Sequence, residues 1–252
     1  MASEPARSPL GCLIVHGFSG SLATVDGLTP HLAARGIPYE LPVLRGHGAT
    51  PAALRGVTWH DWYADGERAL DRLLDRCERA VVVGLSMGGL VALHMAVQRP
   101  ERLAGIVAVA PALRPVIPGA FLLPLLARTN LYGTMRGEKA FMDTSRAAQT
   151  GNYPRVPVAA VAQLARFART VERELPQMRL PLLICYTPHD RLVRPESFPL
   201  LYERVSTPPA DKELLAFERS GHELLFDQQR EEVFAAILRF LDARQAALAE
   251  RA

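Results

Sequence analysis

Along the chain, near-continuous apolar stretches at residues 10–15, 80–85, 103–110 and 180–186 alternate with segments whose apolar positions recur every three to four residues. The uninterrupted stretches predict strands buried on both faces, and the periodic segments predict helices with one face turned to a core. A helix over 28–35 ends at Gly36, a residue suited to a left-handed C-cap. Another starts at Thr58 as N-cap: Trp59, Trp62, Tyr63, Leu70, Leu73 and Leu74 form its apolar stripe, while Asp65, Glu67, Arg68, Asp71 and Arg72 form a solvated face. Residues 37–43 read as a further strand, kept from the centre of the sheet by Pro38 and Pro42. Beyond residue 186 come a helix over 195–205, with Pro195 in its first turn, a last strand over 212–217, and an amphipathic helix from about 228 to the C-terminus. Strands and helices in short-linked alternation predict a mostly parallel sheet with helices on both faces.

The alternation stops between Pro111 and about Arg179. That segment holds prolines at 111, 115, 118, 124, 154, 157 and 176, no strand-like run, and helix-like pieces near 121–127, 137–149 and 158–175. Its residues 116–126 are the most apolar window of the chain.

Candidate chemistry centres on Gly84-Leu85-Ser86-Met87-Gly88. A β-branched apolar run ends at Gly84, and a helix gets under way by about Leu90 and runs to the stop at Pro100. Glycines two residues before and after Ser86 let strand and helix approach, while the serine is forced into a strained turn with its hydroxyl above the sheet edge. Met87 opens the helix, where an unpaired backbone N–H points at the position an oxyanion would occupy.

This strand, turn and helix resemble the nucleophile elbow of the α/β-hydrolase superfamily. His16-Gly17-Phe18-Ser19-Gly20, Arg45-Gly46-His47-Gly48 and Ser220-Gly221-His222 extend the resemblance over nearly the whole chain, and within the superfamily the set looks most like small bacterial carboxylesterases and monoacylglycerol lipases. The resemblance implies an α/β-hydrolase core over 1–110 and 180–252, with 111–179 as a small helical cap. It implies a triad in the chain order serine, acid, histidine, each just after a strand, which Ser86, Asp190 and His222 satisfy. It assigns the second oxyanion donor to the N–H of Phe18, beside that of Met87, and makes His47 structural. Glu223 and Asp227 fall on the wrong side of His222 to be the acid, and Asp211 precedes its strand. In one respect the chain departs from the pattern: Thr187 stands where a glycine often precedes the acid by three residues. His31, His60, His94 and His189 read as structural or solvated.

For substrate contacts the candidates are Phe18, Ile117, Phe121, Leu122 and Val193. The window 116–126 either lines the underside of the cap, where it would suit an acyl chain, or packs on the main core; the residues alone leave both open.

Composition narrows the picture little further. A chain of 252 residues with 49% hydrophobic and 22% charged residues suits one α/β core with an insertion. The net charge of +3 is spread without a basic block, so no nucleic-acid partner is expected. Residues 1–9 carry no apolar run, 10–15 is too short for a leader, and no stretch is long enough to span a bilayer, so a cytoplasmic protein without membrane insertion is expected. Cys12, Cys77 and Cys185 lack paired spacing and read as buried thiols, and no histidine pair has zinc spacing. The expectation is a serine hydrolase of short- to medium-chain esters or monoacylglycerols, acting as monomer or homodimer without metal or cofactor. A thioesterase or acyltransferase, a carbon–carbon bond hydrolase, and a non-catalytic ligand-binding relative are the alternatives.

Overall fold

The computed structural model describes residues 7–135 and 137–250; the first six residues, expected to carry no leader, and the last two, expected to continue the final helix, lie outside that range. In chain order the strands and helices are β1 (Ser8–Val15), α1 (Thr29–Ala34), β2 (Tyr39–Glu40), α2 (Trp59–Leu74), β3 (Cys77–Leu85), α3 (Met87–Gln98), β4 (Leu103–Val109), α4 (Leu123–Leu126), β5 (Tyr132–Thr134), β6 (Arg155–Pro157), α5 (Val158–Glu174), β7 (Leu182–Tyr186), α6 (Ser197–Arg204), β8 (Lys212–Ala216) and α7 (Arg230–Ala249). Six strands form one parallel sheet in the order β2-β1-β3-β4-β7-β8. Side chains alternate across a strand, so β1, β3 and β4, buried along almost their whole length, must be covered on both faces. From one direction α2 and α3 cover them, packed on each other; α7 lies on β1, β4 and β7, with the Phe240 ring against Gly105 of β4.

Local chemistry explains where these elements begin. Thr58 and Asp61 form a reciprocal capping box at the start of α2, the Thr58 N–H donating to Asp61 Oδ2 at 2.9 Å. Trp62 on the same helix is fully buried and donates its Nε1–H to Arg45 O at 3.2 Å, so the largest side chain of the core also satisfies its polar handle.

Three expectations are corrected. The strand over 37–43 shrinks to the two residues of β2, because Pro38 and Pro42 flank it and cannot donate to a ladder. The region 111–179 contains a strand pair after all: β5 and β6 run antiparallel, but each is three residues long, with Gly133 in one and Pro157 in the other, too short to show an alternating pattern. The piece at 137–149 is two 3-10 segments, Gly137–Ala140 and Thr144–Gln149.

Window 116–126 does not join the main core. Leu123 packs with Ala162 and Ala165 of α5 in a small separate cluster, with Ile117 at its margin, while Phe121 is 83% exposed and Leu122 43%. The stretch between β4 and β7 is tied instead to loops at the C-terminal edge of the sheet. Tyr153 N–H donates to Ser19 O at 2.9 Å, and the Tyr153 hydroxyl accepts from Ala49 N–H at 2.9 Å; Ser21 Oγ donates to Thr150 O at 2.5 Å.

At the β3–α3 turn backbone meets backbone. A Cβ on Gly84 would run into the Gly88 carbonyl, and one on Gly88 into the Val15 and His16 carbonyls. Gly88→Ala is therefore expected to cost about 3 kcal/mol or more of stability, since main-chain atoms on both sides resist displacement; urea unfolding of the variant measures it, and a loss under about 0.5 kcal/mol would contradict the packing described.

Candidate active site

Ser86 is the N-cap of α3 and has φ +55 and ψ −111, a conformation that is an outlier for a residue with a Cβ. The surroundings impose it. Ser86 N–H donates to Val109 O at 2.9 Å, and Ser86 O accepts from Gly89 N–H at 3.0 Å, Leu90 N–H at 3.3 Å and Ala112 N–H at 3.0 Å. The hydroxyl of Ser86, half-buried, makes no hydrogen bond to another described residue.

The loop after β1 lies directly against this serine: a Cβ built on Gly17 would sit 3.3 Å from that of Ser86. Two neutral imidazoles hold the loop. His16 Nε2 accepts from Leu44 N–H at 3.1 Å, which leaves Nδ1 to donate to Gly17 O at 2.8 Å. His47 Nε2 accepts from Ser19 N–H at 3.2 Å, and its Nδ1 faces the carbonyls of Leu44 and Arg45. Burial lowers the pKa of both, and His47, beside His16, is held down to about 3. Each ring thus serves as a fixed donor and acceptor for backbone. Phe18 sits beside His47, its ring edge-on to His47 at 6.1 Å and to Trp62 at 5.7 Å. Among the described residues neither the Phe18 nor the Met87 N–H has an acceptor.

Farther along the same sheet edge, Asp190 follows β7 and His222 follows β8. His222 Nδ1 meets Asp190 Oδ2 at 2.7 Å, with both side chains all but excluded from solvent. Asp190 Oδ1 accepts from Leu192 N–H and Val193 N–H, each at 2.8 Å, so the carboxylate is held at both oxygens. A proton on Nδ1 leaves Nε2 of His222 as the basic nitrogen. Burial alone would press the His222 pKa down; the charge of Asp190 and the hydrogen bond to it outweigh burial, and the net shift is upward.

Several residues that pattern reading passed over support this pair. Thr187, the departure from glycine, is fully buried and donates its Oγ1–H to Ser220 O at 2.8 Å while accepting from His189 N–H at 3.1 Å, so it joins the acid's turn to the histidine's turn. Asp227 Oδ2 accepts from Gly221 N–H and Met142 N–H, both at 2.7 Å, fastening the histidine's turn to the 111–179 region. Glu223 is buried and takes one bond, from Asn152 Nδ2 at 3.4 Å; burial raises its pKa. In sequence Thr187 shows only as a departure three residues before Asp190, and Glu223 and Asp227 only as neighbours of His222.

Other candidates lie elsewhere. Val193 is 1% exposed, so its side chain is enclosed and its contribution is the N–H that holds Asp190. Phe121 and Leu122 reach solvent, and Ile117 rests against α5. His94 is buried and paired with Glu174 at 2.6 Å, which ties α3 to the end of α5; His31 lies near Glu231 at 3.8 Å, and His60 stacks on Trp59. Cys12, Cys77 and Cys185 are free and buried, the thiol of Cys77 pushed up to about 11 by desolvation. Among the described residues no group of three histidine, cysteine or acidic side chains could hold a metal ion, and no helix is long and apolar enough to cross a membrane.

A parallel sheet with a strained serine between a central strand and its following helix defines the α/β-hydrolase class. Comparison with known proteins narrows it: residues 9–229 match the family described as serine aminopeptidase, S33, and the chain belongs to that family of α/β-hydrolases, as an enzyme of its esterase and lipase kind. It is 29% identical over 239 residues to a thermostable monoacylglycerol lipase of Bacillus sp. (strain H-257), covering 93% of this chain and 91% of that one, and 25% identical to a carboxylesterase of Bacillus subtilis (strain 168), covering 91% of each. Among solved structures it superposes on a chain from work on LipS and LipT, two metagenome-derived lipolytic enzymes, with a TM-score of 0.86 and 32% identity over 94% of this chain and 95% of that one. A monoacylglycerol lipase of Paleococcus ferrophilus shares the fold, with a TM-score of 0.78 at 19% identity over 94% of this chain and 96% of that one.

Thr187→Val keeps the shape and removes the hydroxyl, stranding Ser220 O and His189 N–H. The expected cost is about 1–3 kcal/mol in chemical denaturation, with Thr187→Ser retaining most of the stability. Equal stability of the Val variant and the parent would show that the two turns do not depend on this bond.

Proposed function

We propose that the chain is a serine carboxylic-ester hydrolase acting on short- to medium-chain esters or monoacylglycerols, with Ser86 as nucleophile, His222 as general base and acid, and Asp190 as the group that orients and stabilises His222. The single observation that carries the reading is the buried 2.7 Å contact of His222 Nδ1 with Asp190 Oδ2, on loops leaving the same edge of a parallel sheet as the strained turn at Ser86. Such a pair fixes one tautomer and directs Nε2 outward. The similarity to a monoacylglycerol lipase and a carboxylesterase supports the substrate class.

In this mechanism His222 Nε2 takes the proton of the Ser86 hydroxyl as Oγ attacks the ester carbonyl carbon. The carbonyl π electrons move onto oxygen, and the N–H groups of Phe18 and Met87, without other partners, stabilise the oxyanion. Collapse breaks the bond to the alcohol, which leaves with the proton from His222, and the acyl group stays on Ser86. Water, deprotonated by His222, attacks the acyl-enzyme, and the carboxylic acid leaves as Ser86 recovers its proton. Only this chain's side chains, its backbone and water take part.

Residues 111–179 act as a cap over this edge, anchored through Tyr153, Thr150, Met142 and Asn152. Ile117 packs at the margin of the cluster on α5, and the exposed apolar side chains of Phe121 and Leu122 are the cap residues this reading assigns to contact with an acyl chain. A thioesterase would use the same groups, and a p-nitrophenyl ester series run beside monoacylglycerols and acyl thioesters separates the substrate classes.

Ser86→Ala is expected to lower kcat on p-nitrophenyl esters by about 10⁴-fold or more; a variant with most of its activity would remove Ser86 from the mechanism. The base must be neutral, and the folded pKa of His222 is raised, so protonation silences it from a higher pH than for an ordinary imidazole. The acid limb of kcat/KM should therefore lie above 6.5, with activity present above that limb and lost below it. A limb below 6.5 would contradict the role of Asp190.

A further inference from the structure

The edge of the sheet opposite Ser86 carries a second concave feature. The first residues of β3 and β4, the approaches to β7 and β8 and the last turns of α7 enclose a cleft of about 270 Å³. Three guanidinium groups, Arg79, Arg179 and Arg244, line it against one carboxylate, Asp211, with Leu180 and Leu248 among its apolar walls. Some arginines pair with carboxylates, as Arg76 does with Glu40 at 2.6 Å and Arg114 with Glu172 at 2.7 Å. The cleft gathers three guanidiniums around one carboxylate. Among the described residues Arg79 and Arg179 have no ion-pair partner, and Arg79 Nη1 donates to Leu103 O at 3.4 Å. Arg244 approaches Asp211 no closer than 3.9 Å, its side chain is 20% exposed, and its Nε is buried without an acceptor. A buried N–H without an acceptor, as at Arg244 Nε, costs free energy, and the cleft sets two further guanidiniums beside it.

We propose that this cleft binds a small organic oxyanion, a phosphate monoester or carboxylate with a short apolar body, the head engaged by Arg79, Arg179 and Arg244 and the body lying on Leu180 and Leu248. The guanidinium fork matches either head through paired N–H donors. The site lies across the sheet from Ser86 and does not rest on the hydrolytic reading.

The test is a titration of the full chain with octyl phosphate and, separately, octanoate, followed by backbone amide chemical shifts and by calorimetry. Saturable shifts at residues 103–104, 180 and 247–248 are expected, with affinity falling as salt is raised. Arg179→Ala and Arg244→Gln should each weaken binding by about ten-fold or more, with Arg179→Lys keeping part of it. Arg179 is exposed, so its variants keep the test valid if Arg244→Gln does not fold. Tighter binding of one probe identifies the head group preferred. The proposal is overturned if neither probe gives saturable shifts at these residues, if shifts are confined to the loops around Ser86 and His222, or if the arginine variants bind as the parent does.

Discussion

Backbone-on-backbone contact between β1, β3 and α3 is the constraint on which the rest of the molecule depends. Gly88 lies against the carbonyls of Val15 and His16, and Gly84 against the carbonyl of Gly88, so three main-chain segments converge with no side chain between them. This closeness makes the turn at Ser86 sharp enough to hold φ +55, and it brings the loop carrying Gly17 and Phe18 to the serine's side. A strained residue persists only where its surroundings over-determine it, and four hydrogen bonds to the Ser86 backbone meet that requirement. The turn at Ser86 and the loop carrying Phe18 are therefore set by one packing event.

Polar groups around the edge divide into two kinds. His16 and His47 are desolvated, kept neutral and used as rigid connectors between backbone segments that no helix or strand ladder reaches. His222 is as deeply enclosed, yet the Asp190 carboxylate keeps its charged form accessible. The same side chain in two environments takes two roles, and the neighbouring charge decides which. Thr187 and Asp227 then fix the turn bearing His222 from two directions, one from the acid's loop and one from the 111–179 region.

Much of this was legible in the chain itself. Buried parallel strands announce themselves as continuous apolar runs, and the elbow is visible because only glycine tolerates the approach at 84 and 88. Asp190 and His222 stand out because each follows a strand and chain order leaves no better acid. What stayed hidden depends on contacts between distant segments. The strand pair β5–β6 has three residues a side and no periodicity, β2 is cut short by its flanking prolines, and the bridging role of Thr187 exists only once Ser220 is beside it. Window 116–126 stayed open between the underside of the cap and the main core: it rests on α5 through a few side chains and leaves Phe121 in solvent.

The central claim is that Ser86 is a nucleophile activated by His222. Labelling with a fluorophosphonate, followed by intact mass and peptide mapping, tests it without a choice of substrate. One adduct per chain on the peptide containing Ser86, formed far more slowly when His222 is replaced by alanine, is the predicted result. An adduct on another residue, or labelling of Ser86 at the same rate without His222, would contradict it.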